Sequence, residues 1–252
     1  MSDGVELAPH RFAGLVAPAV DRAFVAGMLA GRDGGGAELS SRYGGPAATG
    51  FLVEFRTRLA APGGRARLRG GHPLPGSGLL PAGAGQAGRP RDAAPGDGGF
   101  SATERGLAFL TEIYQVHAEV TEELWAGHDD RVVRLVEALG RLLAYALVLA
   151  DAEPAVAGSA FAAMAPPYEP EGTPPGVLLL NRLGTLRYHR ADAHAAAWRA
   201  AGHTAASIAE LPPGAERLAI ELETDRRAAG PYVVLTAEER LAMLADLAAL
   251  PG

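Results

Sequence analysis

Phe12, Leu15, Val16, Ala19, Val20 and Phe24 recur at steps of three and four, which predicts one helix with a single apolar stripe, ended by Gly31, Gly34, Gly35 and Gly36. A short helix follows over 37–43, broken by Gly44, Gly45 and Pro46. After the break Phe51, Leu52, Phe55 and Leu59 form an apolar stripe, and the spacing turns Arg56 and Arg58 away from it. Two short helices joined by a glycine-containing turn of three residues are the helix-turn-helix pattern.

The pattern is lost over residues 61–99, which are dominated by Gly, Ala, Pro and Arg and show neither the helical nor the strand period. Such a stretch buries too little apolar surface to offset its ordering entropy, so it is expected to be of low order. GC-rich DNA read out of frame yields the same composition, an alternative that resequencing the gene decides. Periodicity returns at residue 100. Residues 100–103 are short enough for a strand, and Leu107, Leu110, Ile113, Tyr114, Val116, Val120, Leu124 and Trp125 predict a long helix stopped by Gly127. Asp129 or Asp130 is expected to cap the next helix, whose wide apolar face (Val132, Val136, Leu139, Leu143 and Leu147 among others) suits a helix–helix interface. The prolines from Pro166 to Pro175 predict a rigid linker. Four further helices are expected over 178–201, 204–211, 215–229 and 236–250, the last opening with the capping box Thr236-x-x-Glu239.

These elements predict a mostly α-helical protein divided into an N-terminal winged-helix-like domain at 1–150, a Pro-rich linker at 151–176 and a helical C-terminal domain at 177–252. The order of helices in the last block loosely repeats residues 10–150. A degenerate internal repeat is therefore expected, with either an internal pseudo-dimer or a homodimer as the assembly.

Composition narrows the chemistry. All 23 basic residues are Arg, there is no Cys, and Asn181 is the single asparagine. Without Cys there are no disulfides, thiolate metal sites or cysteine nucleophiles, and without Lys no Walker-type phosphate loop. Gly158-Ser159-Ala160-Phe161 is not a nucleophile elbow. Among the 7 His, no two have metal-binding helical spacing, so no metal, cofactor or catalytic residue is assigned. The N-terminus has no signal-peptide pattern and no window approaches eighteen uninterrupted apolar residues, which predicts a cytoplasmic protein without a membrane partner.

The formal net charge of -6 argues against nucleic acid for the whole chain. Residues 1–100, however, hold 11 Arg against 8 acidic residues, and the remainder is strongly acidic. Any polyanion contact is expected in that first hundred.

Glu38-Leu39-Ser40-Ser41-Arg42-Tyr43-Gly44, the helix after Pro46, and Phe100-Ser101-Ala102-Thr103-Glu104-Arg105-Gly106 leading into a long helix together resemble the MarR-type winged helix-turn-helix regulators. Leu186-Arg187-Tyr188-His189-Arg190-Ala191-Asp192-Ala193-His194 is similar to a helix of actinobacterial SalK-like helix-turn-helix proteins. The resemblance touches about half the chain. It implies a DNA-binding transcriptional regulator responsive to a small effector, with double-stranded DNA as partner. Two departures stand out: residues 61–99 occupy the place of a compact wing, and Ala47, Ala48 and Gly50 begin the recognition helix. Base readout then rests on Tyr43 and Thr49, and phosphate contact on Arg42, Arg56 and Arg58, with Arg65, Arg67 and Arg69 extending the basic run.

A competing reading comes from the last quoted helix. At 100° per residue Arg187, Arg190 and His194 share a face, suited to clamping a carboxylate or phosphate, while Asp192 is placed to orient His189. His117, on the helix with Tyr114 and Thr121, is a candidate for lining a ligand crevice. On this reading the scaffold has lost DNA binding and serves as an anion-binding protein or enzyme; the blander reading makes these residues a charged helix paired with Glu221, Glu223 or Asp225.

Overall fold

The computed structural model describes residues 7–65, 93–96, 99–152 and 159–252. The fold is mostly helical. Helix α1 (Pro9–Gly31) runs into a π turn (Arg32–Gly36) bent at Gly34 and Gly35, where a φ of 116° at Gly35 suits glycine alone. Next come α2 (Ala37–Arg42), α3 (Pro46–Glu54) and α4 (Arg56–Leu59). Gly44 and Gly45 take φ of 101° and 82° to make the turn before α3. The two-helix pattern is thus present, but the second helix is interrupted at Phe55, which leaves helical geometry (φ -99°, ψ 18°).

Strands β1 (Ala93–Gly96) and β2 (Gly99–Ala102) pair antiparallel, Ala93 opposite Ala102 and Gly96 opposite Gly99. The expected strand at 100–103 therefore begins one residue earlier, and its partner comes from the end of the segment read as lacking order. The centre of that segment, with Arg67 and Arg69, lies outside the described residues.

Helix α5 (Glu104–Leu124) is capped by Thr103, whose hydroxyl accepts from the Gly106 amide at 3.1 Å. Helix α6 (Asp129–Ala152) follows a turn with Gly127 at φ 76°. Neither Asp129 nor Asp130 is the cap: the His128 carbonyl accepts from Arg131 and Val132, and both aspartates fall in the first turn, where their charge complements the helix dipole.

The proline-rich stretch is not a free linker. It contains α7 (Ala160–Met164), donates the Tyr168 amide to the Thr57 carbonyl at 2.8 Å, and is tied to α8 (Pro175–Ala200) by Glu169 accepting from Arg182 at 2.6 Å. Helices α9 (Ala205–Glu210), α10 (Ala215–Ala228) and α11 (Ala237–Ala249) complete the chain, with a 3₁₀ turn over Gly230–Val234. The Thr236–Glu239 capping box forms as the sequence requires.

One core crosses the division expected between residues 1–150 and 177–252. Phe12, Val16 and Val20 of α1 pack in the same cluster as Leu139 of α6, Leu180 of α8 and Leu247 of α11. A smaller cluster joins Leu39, Leu52 and Leu59 to Phe109 and Ile113 of α5. The run Pro9–Arg42 has the length and mean hydropathy (1.5) of a membrane span, against the sequence expectation, yet Phe12, Val16 and Phe24 on it are spent on the shared core.

Candidate functional site

Helix α8 is apolar nearly all round in its first half, where Val177, Leu179, Leu180, Leu183 and Leu186 are buried, and charged in its second. It packs against α10, α6, α1 and α7, and its Tyr188 meets Glu54 at the end of α3. The elements leave a cavity of about 350 Å³, its apolar wall made by Val20, Phe24 and Met28 of α1, with Val53 and Met164.

Arg56 points into this space. It is 5% exposed, four residues after the buried Leu52 and just past the point where the chain leaves helical geometry at Phe55. Its Nη1 donates to the Val53 carbonyl at 3.1 Å, its Nε has no hydrogen-bond partner, and it makes no ion pair among the described residues. A buried guanidinium held by one carbonyl leaves N–H donors ready for an anion. Thr57 Oγ1 and Asn181 Oδ1, both buried and both lining the cavity, also lack partners; the Asn181 amide reaches only the Tyr114 hydroxyl, at 3.5 Å. Across the cavity the Tyr188 hydroxyl donates to Glu54. Burial, followed by the Glu54 charge and that hydrogen bond, raises the Tyr188 pKa far above the phenol range, which keeps it a donor.

The trio Arg187, Arg190 and His194 does line this cavity, each with a partner. Arg187 Nε donates to Asp21 at 2.6 Å and the guanidinium lies 4.5 Å over the Phe24 ring. Arg190 pairs with Asp225 at 2.8 Å and lies 3.7 Å from Glu221. His194 Nδ1 is 3.0 Å from the Thr224 hydroxyl, and burial, with Arg190 nearby, lowers its pKa against the opposing pull of Glu221. The charged-helix reading therefore describes two of the trio's contacts, while the cavity supplies the shared face. Both features hold together.

The remaining sequence candidates fall elsewhere. His189 packs edge-on against Phe161, ring centroids 5.4 Å apart, with its pKa pushed down to about 4 by desolvation. Asp192 does not orient His189 through a hydrogen bond; its carboxylate accepts from the Ala160 and Phe161 amides at 3.1 and 2.8 Å, closing the start of α7. His117 is not among the residues that line this cavity. It is 2% exposed, with its ring so close to Gly31 that a Cβ there would come within 2.8 Å, and burial, then Arg56, drives its pKa down to about 3.

Of the residues expected on DNA, Thr49 is 1% exposed and bonded to Ser40 at 2.6 Å, so it reaches no base edge in this arrangement. Arg56 is interior, and Arg58 is half-buried with a buried, unpartnered Nε. Arg42 is exposed and paired with Glu112 at 2.8 Å; the Tyr43 hydroxyl bonds the same carboxylate while its ring packs on Phe109.

Sequence reasoning missed Glu54, Thr57, Asn181 and Tyr188. Asn181 carried a signal: the chain's single asparagine directly follows the apolar run from Val177 to Leu180. Among the described residues no cluster of His, Asp or Glu is arranged to hold a metal ion. Comparison with known protein families, curated proteins and solved structures returns no match, so the site is read from its own chemistry.

Proposed function

We propose that the protein binds a small organic anion in the cavity between α1, α4, α8 and α10, with Arg56 as the anchor and the Arg187, Arg190 and His194 face forming one wall. The observation that carries this is the buried Arg56 guanidinium, lining a cavity and without a carboxylate partner. An isolated interior cation costs several kcal/mol of desolvation, so a fold that keeps one gains from an anion that completes it. The mixed wall, apolar on α1 and polar on α4 and α8, suits a ligand of small-molecule size. The test is calorimetry and thermal shift with a panel of carboxylates on the wild type and Arg56→Met. Saturable binding lost in the variant is expected; a panel with no binder, or binding unchanged by Arg56→Met, refutes it.

The second reading is the cytoplasmic, MarR-like DNA-binding regulator, favoured by the α2–turn–α3 order and by the basic surplus of the first hundred residues; the cavity is then its effector site. It requires Arg42 and Tyr43 to leave Glu112 and the half-buried Arg58 to turn outward. Gel retardation with promoter fragments decides: a shift at low salt that fades as salt rises supports it, and none at low salt refutes it.

A further inference from the structure

The cavity holds a second unmatched charge. Arg187 is answered by Asp21, and Arg190 by Asp225 and Glu221. Once these pairs are set aside, two lining groups remain without an ionic partner among the described residues: the Arg56 guanidinium and the Glu54 carboxylate, which accepts only from the uncharged Tyr188 hydroxyl. The two sit on the same short stretch of chain, yet they are not paired with each other. The Phe55 break separates them, with Glu54 closing α3 and Arg56 opening α4. Near them Asn181 Oδ1 is a buried acceptor with nothing to accept. An anion alone would complete Arg56 and leave Glu54 and the Asn181 carbonyl unanswered, and a buried acceptor left unpaired is costly.

We infer that the ligand is a small zwitterion, an apolar amino acid or a close analogue, whose carboxylate meets Arg56 and whose ammonium donates to Glu54 and Asn181. The apolar body then lies on Phe24, Met28 and Met164. The inference rests on the anion reading above and adds the ammonium end and the apolar body to it. Lining carboxylates and guanidiniums are equal in number, three of each (Asp21, Glu54, Glu221; Arg56, Arg187, Arg190), as suits a ligand of no net charge.

A matched series separates the two ends: L-phenylalanine, 3-phenylpropionate, which lacks the amine, and 2-phenylethylamine, which lacks the carboxylate, with leucine, 4-methylpentanoate and isopentylamine as a second series of smaller girth. Binding is read by calorimetry and by saturation-transfer NMR on the full chain. In at least one series the amino acid is expected to bind about 10-fold or more tightly than either truncated relative, the factor set by one buried polar group left unpaired. Glu54→Gln, which keeps an acceptor for Tyr188, is expected to bring amino acid and deaminated acid to similar affinity, while Arg56→Met abolishes both. If the deaminated acid binds as tightly as the amino acid in both series, the zwitterion inference falls and the anion reading stands. If the amine alone binds as well as the amino acid, the assignment of Arg56 falls. If no member of either series binds, this inference falls, and the wider carboxylate panel decides the anion reading.

Discussion

A side chain kept for a ligand leaves a mark on the stability of the empty protein. Arg56 contributes one charge-assisted hydrogen bond, to the Val53 carbonyl, of the kind that is worth about 1.5–3 kcal/mol. Against this stands the desolvation of a guanidinium that is 5% exposed and has no carboxylate partner, a penalty of several kcal/mol. Methionine in its place removes the charge, fills much of the same volume with a flexible apolar chain, and leaves the Val53 carbonyl beside the cavity. The balance favours Arg56→Met by about 1–2 kcal/mol in the absence of ligand. For a chain of this size that corresponds to a rise in Tm of about 2–8 °C and to a higher urea midpoint at unchanged slope. Far-UV circular dichroism in urea, in buffer without organic acids, measures it directly. A variant less stable than wild type by more than about 1 kcal/mol would refute the reasoning, because it would make Arg56 a structural member of the core.

Four further outcomes follow from the contacts. Burial depresses the folded pKa of His117 to about 3, below its ordinary 6.5, so unfolding takes up a proton and stability falls as pH drops through that window; His189, at about 4, acts in the same sense. Each is expected to cost up to about 2 kcal/mol between pH 7 and pH 5, and His117→Leu should flatten the urea midpoint's pH dependence relative to wild type; equal slopes would sink the assignment. Asp192→Ala strips the carboxylate from the Ala160 and Phe161 amides and is expected to cost about 1–2 kcal/mol, with amide exchange speeding up first in α7. Gly184→Ala places a Cβ 2.9 Å from the Phe24 ring, so the gain of about 1 kcal/mol in helix propensity should be outweighed, lowering Tm and narrowing the cavity; a raised Tm would show that Phe24 yields freely. Arg42→Ala removes only an exposed pair with Glu112 and should shift stability by less than about 1 kcal/mol, which a denaturation curve checks.

Much of the fold was legible because it is local. The Thr236–Glu239 box and the stop at Gly127 are decided within a few residues of chain, and each stands where the sequence puts it. The shared face of Arg187, Arg190 and His194 was legible for the same reason: three and four residues is a helical distance whatever surrounds it. The Asp192 contact with α7 and the Glu169–Arg182 pair were not, since they span 31 and 32 residues in the first case and 13 in the second, across a stretch that composition alone reads as a linker. That one core spans the expected division was not legible on similar grounds. Periodicity says which side of α1 is apolar, and says nothing of α8, α10 and α11 being what covers it.

The break in the helix is one residue wide. The stripe Phe51, Leu52, Phe55 and Leu59 is consistent with a single helix from Pro46 onward, and on such a helix Arg56 lies at the edge of the stripe, four residues beyond the buried Leu52. Phe55 instead leaves helical geometry, and the restart at Arg56 turns the following residues relative to those before. Phe55 and Leu59 stay buried, so the apolar pattern survives the break and gives no sign of it. The same arginine that supported a DNA surface becomes the unpaired interior cation, with Glu54 left across the break. Replacing Phe55 by a stronger helix former such as leucine tests whether the break holds Arg56 inside: if Arg56 then reacts with phenylglyoxal and any carboxylate binding is lost, the break itself builds the proposed site. Equal protection of Arg56 in both proteins would mean that tertiary packing around α5 and α8, rather than the break, holds it inside.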